Sequence, residues 1–181
     1  MVDYFDEGEF FLEDAFATAY LQRLRAAART WTTDIQPSQT SVETMGDPVA
    51  VSIRVPGLSG PITTLWVLCH HRDDRAPWLH GSWGDRAYVG DAHGVDPDRD
   101  LTVEGLFLGP EALADLAAQW LEAQLLVEIH RDEWAGKRWG RRDSFGSMPY
   151  PRVKACWGVP LRSVLERRDG LAAPHERSDS D

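Results

Sequence analysis

Hydrophobic residues near the start of the chain recur at helical spacing. Phe16, Tyr20 and Leu24 lie on one stripe, and polar residues such as Gln22 and Arg25 lie opposite. Acidic residues precede this stretch and arginines follow it, which suits the dipole of a helix. The pattern predicts a first helix from residue 10 or 11 to about residue 30.

A second helical pattern begins after Gly109. Proline at position 110 is favourable in a first turn, and Leu113, Leu116 and Trp120 then fall on one stripe. The apolar run at residues 125–129 either continues this helix or begins a strand. We favour a helix to about residue 134, stopped near Gly136.

Between the two helices the hydrophobic period changes to two. Val49, Val51 and Ile53 alternate with smaller or polar residues, which predicts a strand with one buried face. Residues 62–71 are almost continuously apolar and predict a central strand covered on both faces. Shorter strands are expected at 78–83, 86–89 and 101–108. The order predicts an α+β fold in which an antiparallel meander of three to five strands packs both helices on one face.

The C-terminal third is less regular. An irregular basic segment is expected after the second helix, followed by a short helix at residues 160–168. Residues 1–169 then form a single α+β domain, and residues 170–181 form a disordered C-terminal tail.

Composition narrows the classes of function. The chain has 181 residues, a formal net charge of -10 and only two cysteines, Cys69 and Cys156. The negative net charge of the chain argues against a protein dedicated to binding nucleic acid or a membrane surface. The first residues lack a secretory signal and no apolar run could span a bilayer, so a cytoplasmic location is expected. The sequence contains no cofactor fingerprint, and we predict no cofactor.

One basic segment stands out from this acidic average. Residues 130–154 contain seven bases and three acids, interleaved with aromatic residues. Arginine and tryptophan concentrate binding energy at protein interfaces. The residues predicted to form a binding surface are Trp134, Lys137, Arg138, Trp139, Arg141, Arg142 and Tyr150.

The sequence is also consistent with two other functions. His70, His71, Asp91 and His93 are of the types that bind zinc or manganese, and they are the candidates for a metal-dependent hydrolase or nuclease. They form no compact ligand motif. The basic segment is also suited to single-stranded nucleic acid, although the net charge of the whole chain opposes that use.

The pattern Trp120-Leu121, Glu128, Glu133-Trp134, Gly136 and Trp139-Gly140 resembles the end of the bacterial proteins similar to ubiquitin-conjugating enzymes, which occur in antiphage operons. The resemblance implies their helix, meander, helix order. The conjugating cysteine of that family lies between the meander and the second helix, and residues 78–109 contain no cysteine. The resemblance therefore implies a non-catalytic relative that binds a ubiquitin-like protein or a partner enzyme.

Together these features favour a protein-binding module of accessory, adaptor or immunity type over an enzyme. Its partner is expected to be another protein with an acidic contact surface. Self-association and contact between the acidic N-terminus and the basic segment are both left open by the sequence.

Overall fold

A computed structural model describes residues 3–6, 14–44, 47–58, 63–71, 76–84, 100–134, 138–143, 146–147 and 162–173. The first part contains helix α1 (Ala15–Ala28), strands β1 (Thr40–Thr44), β2 (Val49–Arg54), β3 (Thr64–His70), β4 (Trp78–Trp83) and β5 (Leu101–Val103), and helix α2 (Pro110–Leu126). Strands β6 (Ile129–Trp134), β7 (Arg138–Asp143), β8 (Gly146–Ser147), β9 (Arg162–Arg168) and β10 (Leu171–Ala172) follow.

Helix α1 begins at a side-chain cap. The Asp14 carboxylate accepts hydrogen bonds from the amides of Phe16 at 2.8 Å and Ala17 at 3.1 Å, which satisfies donors that have no partner within the helix. The face containing Tyr20 and Leu24 is buried, as the spacing predicts. The predicted start at residue 10 or 11 lies outside the described residues.

The first sheet is an antiparallel meander with the order β1-β2-β3-β4-β5. In the middle of the ladder Val51 pairs with Val67, and Val67 pairs with Gly81. The valine side chains point into the cluster that also holds the buried faces of α1 and α2. The prediction of an α+β fold built on a β-meander is confirmed.

Strand β3 is covered on both sides, as predicted. Its helix-facing residues Leu65, Val67 and Cys69 belong to the main core, whereas Trp66 and Leu68 form a smaller buried cluster with Ala50 on the opposite face. Strand β1 was not expected from the sequence. The predicted strand at 101–108 ends at Val103, and the one at 86–89 lies outside the described residues.

Helix α2 buries Leu113 of the predicted stripe, but its other buried residues lie beside that stripe. Leu113 and Leu121 are fully buried, whereas Leu116 and Trp120 are half-buried at the margin of the core. A Cβ atom on Gly81 would lie 2.9 Å from the Trp120 ring, so the tryptophan packs directly over the β4 backbone. No helix in the part of the chain that the structure describes is long and apolar enough to cross a membrane.

Three predictions for the C-terminal third are wrong. Helix α2 ends at Leu126 rather than near residue 134, the described part of the basic segment forms paired strands instead of an irregular run, and residues 162–168 are strand β9 instead of a helix. These strands form a second antiparallel sheet with the order β10-β9-β6-β7-β8. Leu171–Ala172 pairs with β9, so the first part of the predicted tail belongs to this sheet, and residues 174–181 lie outside the described residues.

Candidate functional site

Five of the seven predicted binding residues lie on the paired strands β6 and β7 of the second sheet. Strand β6 pairs with β7 so that Trp134 is opposite Arg138, Glu133 is opposite Trp139 and Arg131 is opposite Arg141. The hairpin therefore brings Trp134, Arg138, Trp139, Arg141 and Arg142 into one two-stranded ladder. Lys137 and Tyr150 lie outside the described residues.

On the side of strand β7 away from β6, the described residues provide little strand pairing. On the side away from β6, its only neighbour among the described residues is β8, which pairs with Arg142 and Asp143. Residues 138–141 have no strand partner there within the described parts of the chain. An open strand edge offers backbone donors and acceptors to an incoming chain.

Polar contacts hold the second sheet together. The Ser163 hydroxyl donates to the buried carboxylate of Asp132 at 2.7 Å. Arg131 bridges Glu133 at 2.8 Å and the buried Glu166 at 3.4 Å. No residue of strands β6–β10 belongs to the main hydrophobic cluster among the described residues. Apart from the fully buried Ile129, the described side chains of β6 and β9 are therefore held mainly by polar contacts.

Arg167 links strand β9 to other parts of the molecule. Its fully buried guanidinium donates to Asp34 Oδ1 at 2.8 Å, to the Pro56 carbonyl at 2.8 Å and to the Gly170 carbonyl at 2.6 Å. Asp34 also accepts the amide of Ala172 at 2.9 Å. A buried ion pair of this kind fixes one arrangement, because breaking it would leave a charge without compensation.

The charge of the molecule is segregated. Strands β6, β7 and β9 together contain seven arginines and four carboxylates, an excess of three positive charges in a chain of net charge -10. Residues 100–128, by contrast, include six carboxylates and no lysine or arginine.

The acidic N-terminus contacts helix α1. Arg25 donates to the Phe5 carbonyl at 2.7 Å, and Arg29 pairs with Asp3. Phe5 is fully buried in the core, and Tyr4 packs against it. The Tyr4 hydroxyl also donates to the Ile35 carbonyl at 2.9 Å, and the Phe5 amide donates to the Thr40 hydroxyl at 2.7 Å. The hydrogen bond from Arg29 lowers the pKa of Asp3, and desolvation opposes this shift.

His71 lies between two carboxylates. Its Nε2 donates to Asp14 Oδ2 at 2.8 Å, and its Nδ1 lies 3.2 Å from Asp47 Oδ1 without hydrogen-bonding geometry. Phe16 stacks on the ring with centroids 4.7 Å apart, and only 3% of the histidine side chain is exposed. Burial acts to raise the pKa of Asp14, but hydrogen bonds from His71 and the helix amides outweigh it and lower the pKa to about 2.

This cluster joins the start of α1, the end of β3 and the approach to β2. His70 lies beside it, 3.5 Å from Asp47 Oδ2, and stacks on Trp78 with centroids 3.8 Å apart. Among the described residues no group of three His, Cys, Asp or Glu side chains is placed to hold a metal ion. The other two metal candidates, Asp91 and His93, lie outside the described residues.

Cys69 is not placed as a nucleophile. It lies on the core-facing side of β3 and is buried. Burial, and to a lesser extent the nearby charge of Asp47, raises the pKa of its thiol to about 12. A thiol with that pKa is almost entirely protonated at neutral pH, and the thiolate is the reactive form.

An exposed apolar loop was not predicted from the sequence. Leu106 and Phe107, between β5 and α2, are 53% and 86% exposed. The sequence gave no sign that they are exposed. Alternating and helical patterns predict which residues of a strand or helix are buried, but they do not predict exposure in a short loop.

No family model, curated protein or solved structure matches this chain in the comparisons made. The resemblance to ubiquitin-conjugating-enzyme-like proteins stays a prediction.

Proposed function

We propose that the chain is a non-catalytic protein-binding module whose contact surface is the β6–β7 hairpin, residues 129–143. The observation that supports this most directly is the register of the hairpin, which holds Trp134, Arg138, Trp139, Arg141 and Arg142 in one ladder. Strand pairing fixes the backbone spacing between such residues, and Trp134 lies directly opposite Arg138.

Charge supports an acidic protein as the partner. Strand β7 contains three arginines and one aspartate, and complementary charge speeds encounter and excludes unsuitable partners. Aromatic residues and arginines are also the types that most often dominate interface energies. Among the described residues, 138–141 have no strand partner on the side away from β6, so their backbone groups there would add to this contact.

The resemblance to ubiquitin-conjugating-enzyme-like proteins adds a class of ligand. It implies a ubiquitin-like protein or a partner enzyme, met in the bacterial cytoplasm as part of an antiphage or other conflict system. We propose an accessory, adaptor or immunity-type role in that setting.

The test is capture of proteins from the native host by three immobilised forms of the full chain. These are the wild type, Arg138→Glu/Arg141→Glu, and a control, Arg23→Glu/Arg54→Glu, which changes net charge equally on exposed arginines of α1 and β2. We expect a captured acidic protein whose affinity falls about tenfold or more in the hairpin variant only, with the largest loss at low salt. The melting temperature should stay close to that of the wild type in both variants.

Two results would oppose the proposal. Equal capture by the hairpin variant would mean that these arginines form only a solvated rim. Binding of a single-stranded oligonucleotide to the wild type, with affinity that falls steeply as salt rises, would favour the nucleic-acid alternative instead.

A further inference from the structure

Residues 3–6 form a turn that belongs to neither a helix nor a strand, and Phe5 anchors it in the core. The Phe5 amide donates to the Thr40 hydroxyl at 2.7 Å, and the Phe5 carbonyl accepts from the Arg25 guanidinium at 2.7 and 3.1 Å. Side chains of α1 and β1 therefore hold the backbone of this residue. We call residues 3–6 the Phe5 segment.

The residues on either side of this anchor point extend the contact. The Tyr4 hydroxyl donates to the Ile35 carbonyl at 2.9 Å, and Arg29 Nε donates to Asp3 Oδ1 at 3.2 Å. Trp31 packs edge-on against the rings of both Tyr4 and Phe5, with centroids 6.3 and 6.2 Å apart. The surface that receives the segment, which we call the Phe5 groove, is formed by Arg25, Arg29, Trp31, Ile35 and Thr40.

The conformation of Phe5 is set by these contacts. Its φ of +50° lies in the left-handed region, which residues other than glycine seldom adopt. Such a conformation persists where the surrounding structure determines it. The segment therefore has the features of a bound peptide: a buried aromatic anchor, a paired charge, and backbone groups held by side chains of the receptor.

The occupied groove sets a limit on its affinity for the segment. Residues 7–13 connect the segment to α1 in the sequence. A ligand tethered by a short linker competes at an effective concentration of about 1 mM. Because the segment lies in the groove, the dissociation constant of that contact must be below this value. The same segment supplied by another molecule should therefore bind an empty groove below about 1 mM.

We propose that the Phe5 groove is a peptide-binding site, which takes the Phe5 segment of a second copy of this chain when its own segment is displaced. The ligand chemistry is an acidic residue two positions before a phenylalanine. Exchange of an identical segment repeats the same contacts in both molecules and needs no new surface. The site is separate from the β6–β7 hairpin, so the inference goes beyond the proposed function.

The first test is binding of a labelled synthetic peptide with the sequence of residues 1–8 to the full-chain variant Phe5→Ala. We expect a dissociation constant below about 1 mM. The wild type should bind the peptide at least about tenfold more weakly, because its own segment occupies the groove. The peptide should also raise the melting temperature of the variant, since it binds only the folded chain.

A matched peptide and a second variant keep this test decisive. The peptide carrying Phe5→Ala should not bind, and binding as tight as that of the parent peptide overturns the proposal. A folded Phe5→Ala chain that binds no peptide also overturns it. Should Phe5→Ala fail to fold alone, Phe5→Leu keeps more of the buried volume and should still bind the parent peptide more tightly than the wild type does.

The second test identifies a second copy as the source of the segment. Phe5→Ala keeps the groove, and Arg25→Ala/Arg29→Ala keeps the segment but removes the guanidinium groups that hold it. Light scattering should find each variant monomeric alone and a one-to-one heterodimer in the mixture, at concentrations approaching about 1 mM. A mixture that stays monomeric overturns the assignment of a second copy as the ligand.

The control for the mixture is Arg23→Ala/Arg54→Ala, which removes the same positive charge from exposed positions outside the groove. Its own segment stays in its own groove, so a mixture with Phe5→Ala should remain monomeric. The hairpin variant Arg138→Glu/Arg141→Glu should behave like the wild type in both tests. Failure of the groove and failure of the proposed function are therefore distinguishable.

Discussion

Asp14 links the stability of the fold to pH, and Asp14→Asn tests that link. One carboxylate oxygen caps α1 through the amides of Phe16 and Ala17, and the other accepts a hydrogen bond from His71. Asparagine is about as good a helix cap as aspartate. The substitution therefore keeps the cap and removes the charge that faces the buried imidazole.

The size of the effect comes from the pKa of Asp14. The folded chain lowers it from 3.8 to about 2, and one pKa unit corresponds to about 1.4 kcal/mol. The Asp14 side chain is only 21% exposed, so solvent screens little of this energy. The charged carboxylate then contributes about 2 kcal/mol. Because the folded pKa is the lower one, this stability is present above pH 3.8 and is lost as the pH falls through about 2.

The assay is urea unfolding followed by tryptophan fluorescence, from neutral pH down to about pH 3. Asp14→Asn should be less stable than the wild type by about 2 kcal/mol at neutral pH, and about half of that gap should be gone by about pH 3. The control is Asp115→Asn, which breaks the exposed pair with Arg23 and should cost under about 1 kcal/mol. A gap for Asp14→Asn that stays constant with pH would refute the reasoning.

Two further predictions concern buried groups. Asp34→Ala should destabilise the chain by about 3–5 kcal/mol in urea unfolding, because it leaves the buried charge of Arg167 unpaired. The double variant Asp34→Ala/Arg167→Met should recover part of that stability, and a double variant no more stable than Asp34→Ala would contradict this account. In a Cys156→Ser background, iodoacetamide at mildly alkaline pH should not label Cys69 until urea unfolds the chain, because the thiol pKa is about 12; labelling of the native protein would show that the thiol is accessible and ionised.

The first sheet and both helices could be predicted because their burial follows a local period. Val49–Arg54 alternates between the core and the opposite face, and α1 buries residues at helical spacing. Each of these elements faces the same apolar core, so the spacing of apolar residues in the sequence matches the residues that the structure buries. The boundary of the buried face was less well predicted: α2 buries Leu121 fully, whereas Trp120 lies at the margin of the core against Gly81.

The second sheet could not be predicted in the same way. Arg162–Arg168 contains leucine, glutamate and arginine, which favour helices locally, yet it pairs along β6 from Ile129 to Glu133. Pairing between distant segments overrides local preference. The residue types of the candidate site were therefore visible in the sequence, whereas the sheet that holds them depended on the pairing of β6 with β9, for example of Glu133 with Arg162 and of Ile129 with Arg167.

The contact between Arg167 and Asp34 joins residues separated by 133 positions along the chain. Closing so long a loop costs conformational entropy that only the intervening structure can offset. The helices and the first sheet must then be in place before the guanidinium finds its carboxylate, so the second sheet should be a late step in folding. By the same reasoning its amides should be among the first to exchange with solvent, and the hairpin would be the part of the molecule that opens while the core stays closed.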